Sequence, residues 1–212
     1  MINKILKMKK LLLLLTLTLT IQSFSQKKIY YKDIVDDCIS VASNDAAMLD
    51  DIVYNCIKDK HISNYDFTSI DGETISTDAI DIPIVLLAAA TWCAPCWGEI
   101  PALNKMVEKY DGKVKFIMLF WDTEKGVKRM AKKLDKRIFL VASKELTKNR
   151  ATIRTSGFIH KLDYPSAYLI TDSKRILDFK RGAVSPTKSM GWDEVNKINE
   201  KELDSFIKPV FK

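Results

Sequence analysis

An α/β fold with a central mixed sheet flanked by helices is predicted by three observations. Two long apolar runs each lead into a helical pattern, two shorter apolar runs meet at a tight turn, and an amphipathic segment closes the chain. Ile82 to Ala90 is nearly unbroken in its apolar character and is entered through Pro83, as expected of a strand buried on both faces. It is preceded by a short strand, Asp66 to Ser69, and an Asp71-Gly72 turn. Cys93 to Tyr110 carries Leu103, Met106 and Val107 at helical spacing. Val114 to Trp121 is a second buried strand, and Thr123 is placed to cap a helix from Glu124 to about Leu134. A short strand over Ile138 to Val141 and a short helix over Ser143 to Arg150 follow. Ser166 to Thr171 and Arg175 to Arg181 read as a hairpin turning at Asp172-Ser173. Asn199 is placed to cap a last helix, Glu200 to Ile207, which Pro209 ends.

Residues 1–25 read as a signal peptide rather than as part of the fold. Lys4, Lys7, Lys9 and Lys10 form a basic start, Leu11 to Ile21 an apolar stretch, and Ser23 and Ser25 supply small residues ahead of Gln26. The competing reading is an uncleaved anchor, but the apolar run is eleven residues where a spanning helix needs roughly 20. Residues 26–65 form an N-terminal extension in which Ser43-Asn44-Asp45 resembles a helix cap ahead of Ala46 to Ile57, and 66–212 form the main domain. The whole chain carries 34 Lys+Arg against 27 Asp+Glu. Without the four lysines of the signal, 30 remain against the same 27, interspersed along the chain. Such a surface is an ordinary solvated one that argues for neither nucleic acid nor an acidic ligand, so no nucleic-acid partner is expected.

Chemistry is concentrated at Cys93-Ala94-Pro95-Cys96. Disulfide exchange needs one thiolate to attack and a second thiol within reach to resolve the mixed disulfide. Two intervening residues at a helix start meet both needs. Cys93 sits where free N–H groups and the helix dipole favour a thiolate, Cys96 lies one turn on, and Pro95 removes an N–H that has no helical partner. A zinc site has the same local spacing but needs four ligands. The remaining candidates, Cys38, Cys56, His61 and His160, include no second close pair. No metal and no cofactor is therefore expected. A structural loop is the other competing reading of the motif.

Thr91-Trp92-Cys93-Ala94-Pro95-Cys96, followed by Glu99-Ile100-Pro101, resembles the TlpA/ResA group of thioredoxin-like periplasmic thiol–disulfide oxidoreductases. The resemblance runs from about Asp66 to Lys208. It implies a thioredoxin fold with a strand–helix insertion between Trp121 and Pro165, protein thiols or disulfides as substrates, and a periplasmic location. It also implies that Pro165 is a cis-proline facing the cysteines, the alternative being a trans proline opening a strand. Pro101 matches a helix-kinking proline, or else starts a separate helix segment. Glu99 matches an acidic residue beneath the cysteines. Three residues beyond Cys96, it shares that thiol's face and is positioned to take its proton, unless it is simply solvated. Trp92, Ala94, Pro95 and Tyr164 are implied as substrate contacts.

The chain departs from the group at three places. Ala88 and Ala89 stand where aromatics are usual, which predicts a wider cavity beside the cysteines, and Tyr164 is bulkier than the usual residue before the cis-proline. Leu87 takes the place of thioredoxin's buried acid six residues before the first cysteine, which leaves Glu99 as the nearby candidate base. Pro95 in the second intervening position matches reducing members of the fold, so a reductant is expected, and a reductant outside the cytoplasm requires a membrane electron donor. A binding or chaperone-like module without turnover is the alternative reading, and a peroxidase a third that Pro83 lies too far upstream to support. Cys38 and Cys56 are candidates for a structural disulfide. On one continuous helix they would stand roughly 27 Å apart, so a bridge requires a chain reversal near Ser43-Asn44-Asp45.

Overall fold

The protein is described by a computed structural model covering residues 28–40 and 53–212. The signal peptide, the cleavage point, the proposed cap at Ser43-Asn44-Asp45 and most of the helix expected behind it lie outside the described residues. In chain order the elements are α1 (Tyr31–Ser40), β1 (Asp66–Thr68), β2 (Thr74–Ser76), β3 (Ile84–Ala89), α2 (Ala94–Lys109), β4 (Lys115–Phe120), α3 (Glu124–Ala131), β5 (Phe139–Val141), β6 (Ile153–Thr155), β7 (Phe158–His160), β8 (Ser166–Ile170), β9 (Ile176–Arg181) and α4 (Trp192–Ile207). Among the described residues no helix is long and apolar enough to cross a membrane.

The central sheet has the order β5-β4-β3-β8-β9. β3, β4 and β5 run parallel, as their helical connections require, and the β8–β9 hairpin is antiparallel to β3. This is the thioredoxin fold. Strand alternation sends side chains to two separate cores. Val85, Leu87 and Ala89 of β3 join the cluster that holds Cys93 and Cys96, covered by Leu103, Met106 and Val107 of α2, Val127 and Met130 of α3, and Leu203 and Phe206 of α4. Ile84, Leu86 and Ala88 face the other way, against Tyr31 and Val35 of α1, Phe67, Phe158 and Tyr168. Of the two alanines expected to widen a cavity beside the cysteines, only Ala89 lies on their face.

The expected elements form with shifted ends, and two expectations fail. Ser143 to Arg150 is not a helix. Thr147 Oγ1 accepts from Trp121 Nε1 at 3.0 Å and lies 2.8 Å from the Asn149 carbonyl and 2.5 Å from that of Thr152, while Asn149 Oδ1 accepts from Ala151 N–H. Short polar side chains thus take the backbone groups a helix would have paired. Asn199 is not a cap either. α4 begins a full seven residues earlier at Trp192, and Asn199 is buried within it. Its amide pairs with both the N–H and the carbonyl of Val184, at 2.9 and 3.0 Å, satisfying an otherwise unpaired backbone segment. The β6–β7 hairpin was not expected from the sequence. Ser156 and Gly157 both take positive φ, 49° and 85°, as a two-residue hairpin turn requires.

The N-terminal residues close one face of the sheet. Asp59 N–H bonds the Ile176 carbonyl, and Ile176 N–H bonds that of Lys60, so residues 59–62 add to the turn end of the β8–β9 hairpin. Cys38 of α1 and Cys56, in a single helical turn over Val53–Ile57, are joined by a disulfide with Cα atoms 5.9 Å apart.

Candidate active site

β3, the central strand, carries the chain to one end of the sheet and the next residues turn into α2. Thr91 makes the turn firm. Its N–H and its hydroxyl both donate to the Asp122 carboxylate, each at 2.6 Å, which ties the end of β3 to the end of β4. Trp97 Nε1 donates to the Thr91 carbonyl at 2.8 Å. Cys93 is the N-cap of α2, with extended φ and ψ of −80° and 107°, and its sulfur accepts from Cys96 N–H at 3.2 Å. A helix N-terminus has backbone N–H groups without helical partners, and one of them is aimed at the Cys93 sulfur. Cys93 and Cys96 are joined in a disulfide, Cα to Cα 5.3 Å. Expected at an exposed helix start, Cys93 is in fact 6 % exposed, against 1 % for Cys96. α2 continues unbroken through Pro101, so no separate helix segment starts there.

The Tyr164-Pro165 peptide is cis, at the entry to β8, the strand beside β3. Tyr164 packs on the cysteine cluster. Its ring lies edge to face with Trp92 at 5.7 Å, and Trp92 meets Trp121 in the same way at 6.1 Å. Burial pushes the Tyr164 phenol up, and its buried hydroxyl has no hydrogen-bond partner among the described residues. The loop before Pro165 is held from below. Asp163, with φ of 55°, offers its carbonyl to His160 Nε2 at 2.8 Å and to Ser166 Oγ at 2.9 Å. Because a carbonyl only accepts, Nε2 carries the proton, and Nδ1 accepts from the Tyr168 hydroxyl 2.8 Å away. Tyr168 in turn contacts the Tyr31 hydroxyl at 3.2 Å. Burial pushes the His160 pKa down to about 4, so the ring is neutral.

Glu99 is buried, not solvated, at 5 % exposure. Lys180 of β9 reaches it at 3.3 Å and Glu202 of α4 at 3.5 Å, and also bonds the Gly182 carbonyl. Burial raises the Glu99 pKa, the Lys180 ammonium opposes that rise, and Glu202 adds to it. Lys180 and Glu202 line a cleft between β9 and α4. Leu87, where thioredoxin has an acid, is packed in the apolar cluster with both cysteines.

A family model described as the AhpC/TSA family matches residues 59–179. The thiol–disulfide oxidoreductase ResA of Bacillus thuringiensis subsp. konkukian is 31% identical over 126 residues, 58% of this chain and 69% of the relative. The chain belongs to the AhpC/TSA family and to the ResA-type, thioredoxin-like thiol–disulfide oxidoreductases. A thioredoxin of Haemophilus influenzae is 36% identical over 59 residues, 28% of this chain and 50% of that one. Among solved structures, a thiol-disulfide oxidoreductase from Bacteroides fragilis aligns at 17% identity and a TM-score of 0.46, covering 68% of this chain and 99% of its own.

The structure gathers Cys93, Cys96, Trp92, Ala94, Pro95, Tyr164 and Pro165 at one end of the sheet, with Glu99 further along α2. Cys38 and Cys56 belong to the opposite core. Among the described residues no group of three or more His, Cys, Asp or Glu is arranged to hold a metal ion. Sequence reasoning missed Asp122, Lys180 and the positioning part played by His160. Only His160 left a trace, as a histidine in a short apolar segment after a Ser-Gly turn.

Proposed function

We propose that this chain is an exported thiol–disulfide oxidoreductase that reduces disulfides of protein substrates in the periplasm. Residues 1–25 act as its signal peptide, 26–65 as an extension and 66–212 as the catalytic domain. The observation that carries the reading is the cysteine pair at the start of α2, with Cys93 as cap and acceptor of the Cys96 N–H. In the reduced protein the Cys93 thiolate attacks a substrate sulfur. The substrate S–S bond breaks, one substrate thiolate leaves, and a mixed disulfide forms. Cys96 then loses its proton to Glu99 and attacks the Cys93 sulfur. This releases the second substrate thiolate and leaves the Cys93–Cys96 disulfide, so the two electrons come from the protein's own dithiol. Pro165 pairs with substrate backbone, while Trp92, Ala94, Pro95 and Tyr164 form the contact surface. A membrane electron donor restores the dithiol.

The reducing direction rests on Pro95, in a fold whose potentials run from about −270 mV to about −120 mV. Equilibration of the Cys93/Cys96 couple in defined thiol buffers tests it. The expected potential lies towards the thioredoxin end. A value near −120 mV contradicts the direction, and a pair that does not exchange at all contradicts the activity.

A further inference from the structure

Both tryptophans that flank the cysteine motif carry an arginine on their faces. The Arg150 guanidinium lies 4.0 Å from the centre of the Trp92 ring and 5.6 Å from that of Trp121. The Arg129 guanidinium lies 5.2 Å from the centre of Trp97. Stacking of this kind is an ordinary way to fix a guanidinium, but it leaves the charge and the five N–H donors free for another group. Both side chains are exposed, and among the described residues no carboxylate lies within ion-pair distance of either.

Arg150 is not held by a slack loop. Thr147 anchors its segment to Trp121 Nε1 and to the Thr152 carbonyl, so the cation is presented from a fixed position over the residue next to Cys93. The same segment carries Lys144 and Lys148 against the single acid Glu145. The nearby acids are already occupied, since Asp122 holds Thr91 and Asp163 pairs with Arg181 at 2.7 Å. A substrate chain docking against Trp92 and Tyr164 thus meets unpaired cations stacked on the tryptophans at either end of the cysteine motif.

We propose that Arg150, seconded by Arg129, is a specificity determinant that selects polypeptide substrates with acidic residues next to the target cysteine. This rests on the oxidoreductase reading above. Complementary charge at a contact mainly raises the encounter rate and suppresses wrong partners. The selectivity must therefore appear in second-order rates and fade with salt.

The test uses two disulfide-linked peptides that differ only in whether Glu or Lys flanks the cysteines, reacted with prereduced protein in single turnover. It compares about 0.01 M with about 1 M salt, where the screening length falls from about 30 Å to about 3 Å. At low salt the acidic peptide is expected to react about tenfold faster, the lower end of electrostatic steering, and the preference vanishes at high salt. Arg150→Gln reduces the preference to about threefold, Arg129→Gln/Arg150→Gln removes it, and Arg150→Lys, which keeps the charge, retains it. An undiminished preference in the double variant overturns the proposal. So does an equal fall in both rates, which would place the cations' effect on the Cys93 thiolate rather than on the substrate. If the wild type reduces neither peptide, the oxidoreductase reading itself fails.

Discussion

The two faces of the central sheet each bury a titratable side chain close to the cis-proline region, and they treat it in opposite ways. On the cysteine face the core is largely aliphatic and covered by three helices. Its buried acid, Glu99, is given a counter-ion, Lys180, and a cleft in which a second acid, Glu202, touches the same ammonium. The opposite face is richer in aromatic rings. Tyr31, Phe158 and Tyr168 pack ring against ring, and the buried His160 is kept neutral with both nitrogens bonded. Burial penalises charge on either face. Where we propose that a proton moves, a counter-ion offsets part of that penalty. Where a loop must be held still, the group is discharged and locked by hydrogen bonds.

The largest effect expected from breaking that contrast is at Glu99. Glu99→Gln slows resolution of the mixed disulfide by about 10²- to 10⁴-fold and leaves the first attack by Cys93 largely intact, as stopped-flow measurement on a model disulfide separates the steps. Lys180→Met refines the point. Lys180 holds the Glu99 pKa down against burial, so its loss moves that pKa higher. A base must be unprotonated to work, so the acidic limb of the resolution rate shifts to higher pH. A limb that stays in place would remove Lys180 from the proton path.

The opposite face should respond in stability instead. Cys38→Ala/Cys56→Ala opens a loop whose ends are 18 residues apart, worth about 3 kcal/mol in chain entropy. The loss is read by urea unfolding, and the Cys93/Cys96 potential stays unchanged. A shifted potential would show that the two faces are coupled. The smallest effect is that of His160. Its folded pKa of about 4 lies below its ordinary 6.5. The unfolded chain therefore binds the extra proton between those values, and the stabilisation is complete above pH 6.5 and lost as pH falls towards 4. Between pH 7.5 and 5 the wild type should lose about 2 kcal/mol more than His160→Gln. Equal losses in the two proteins would mean that His160 titrates normally.

What the sequence revealed and what it hid divide along the same physical line. The cysteine motif, the strand leading into it and the β8–β9 hairpin are written in consecutive residues, so local spacing sufficed. The cis state of Pro165 was reached through family resemblance, not through any property of Tyr164-Pro165 alone. The helix over Ser143 to Arg150 and the cap at Asn199 were misread because tertiary partners, Trp121 and Val184, outbid local propensity for those side chains. Helical spacing put Glu99 on the face of Cys96. It could not show that Lys180 comes from a distant strand, nor that Arg150 closes over Trp92, because both depend on the path of the folded chain. The Ser156-Gly157 dipeptide was a legible turn signal that went unused.

The central claim is that Cys93 attacks and Cys96 resolves. Its most direct test is covalent trapping, with reduced Cys96→Ser and Cys93→Ser proteins each incubated with a disulfide-containing protein substrate and analysed by non-reducing mass spectrometry. Cys96→Ser should accumulate a mixed disulfide through Cys93, while Cys93→Ser, its remaining thiol almost wholly buried at 1 % exposure, should accumulate none. Trapping through Cys96 in the Cys93→Ser protein, with none through Cys93, would contradict the account.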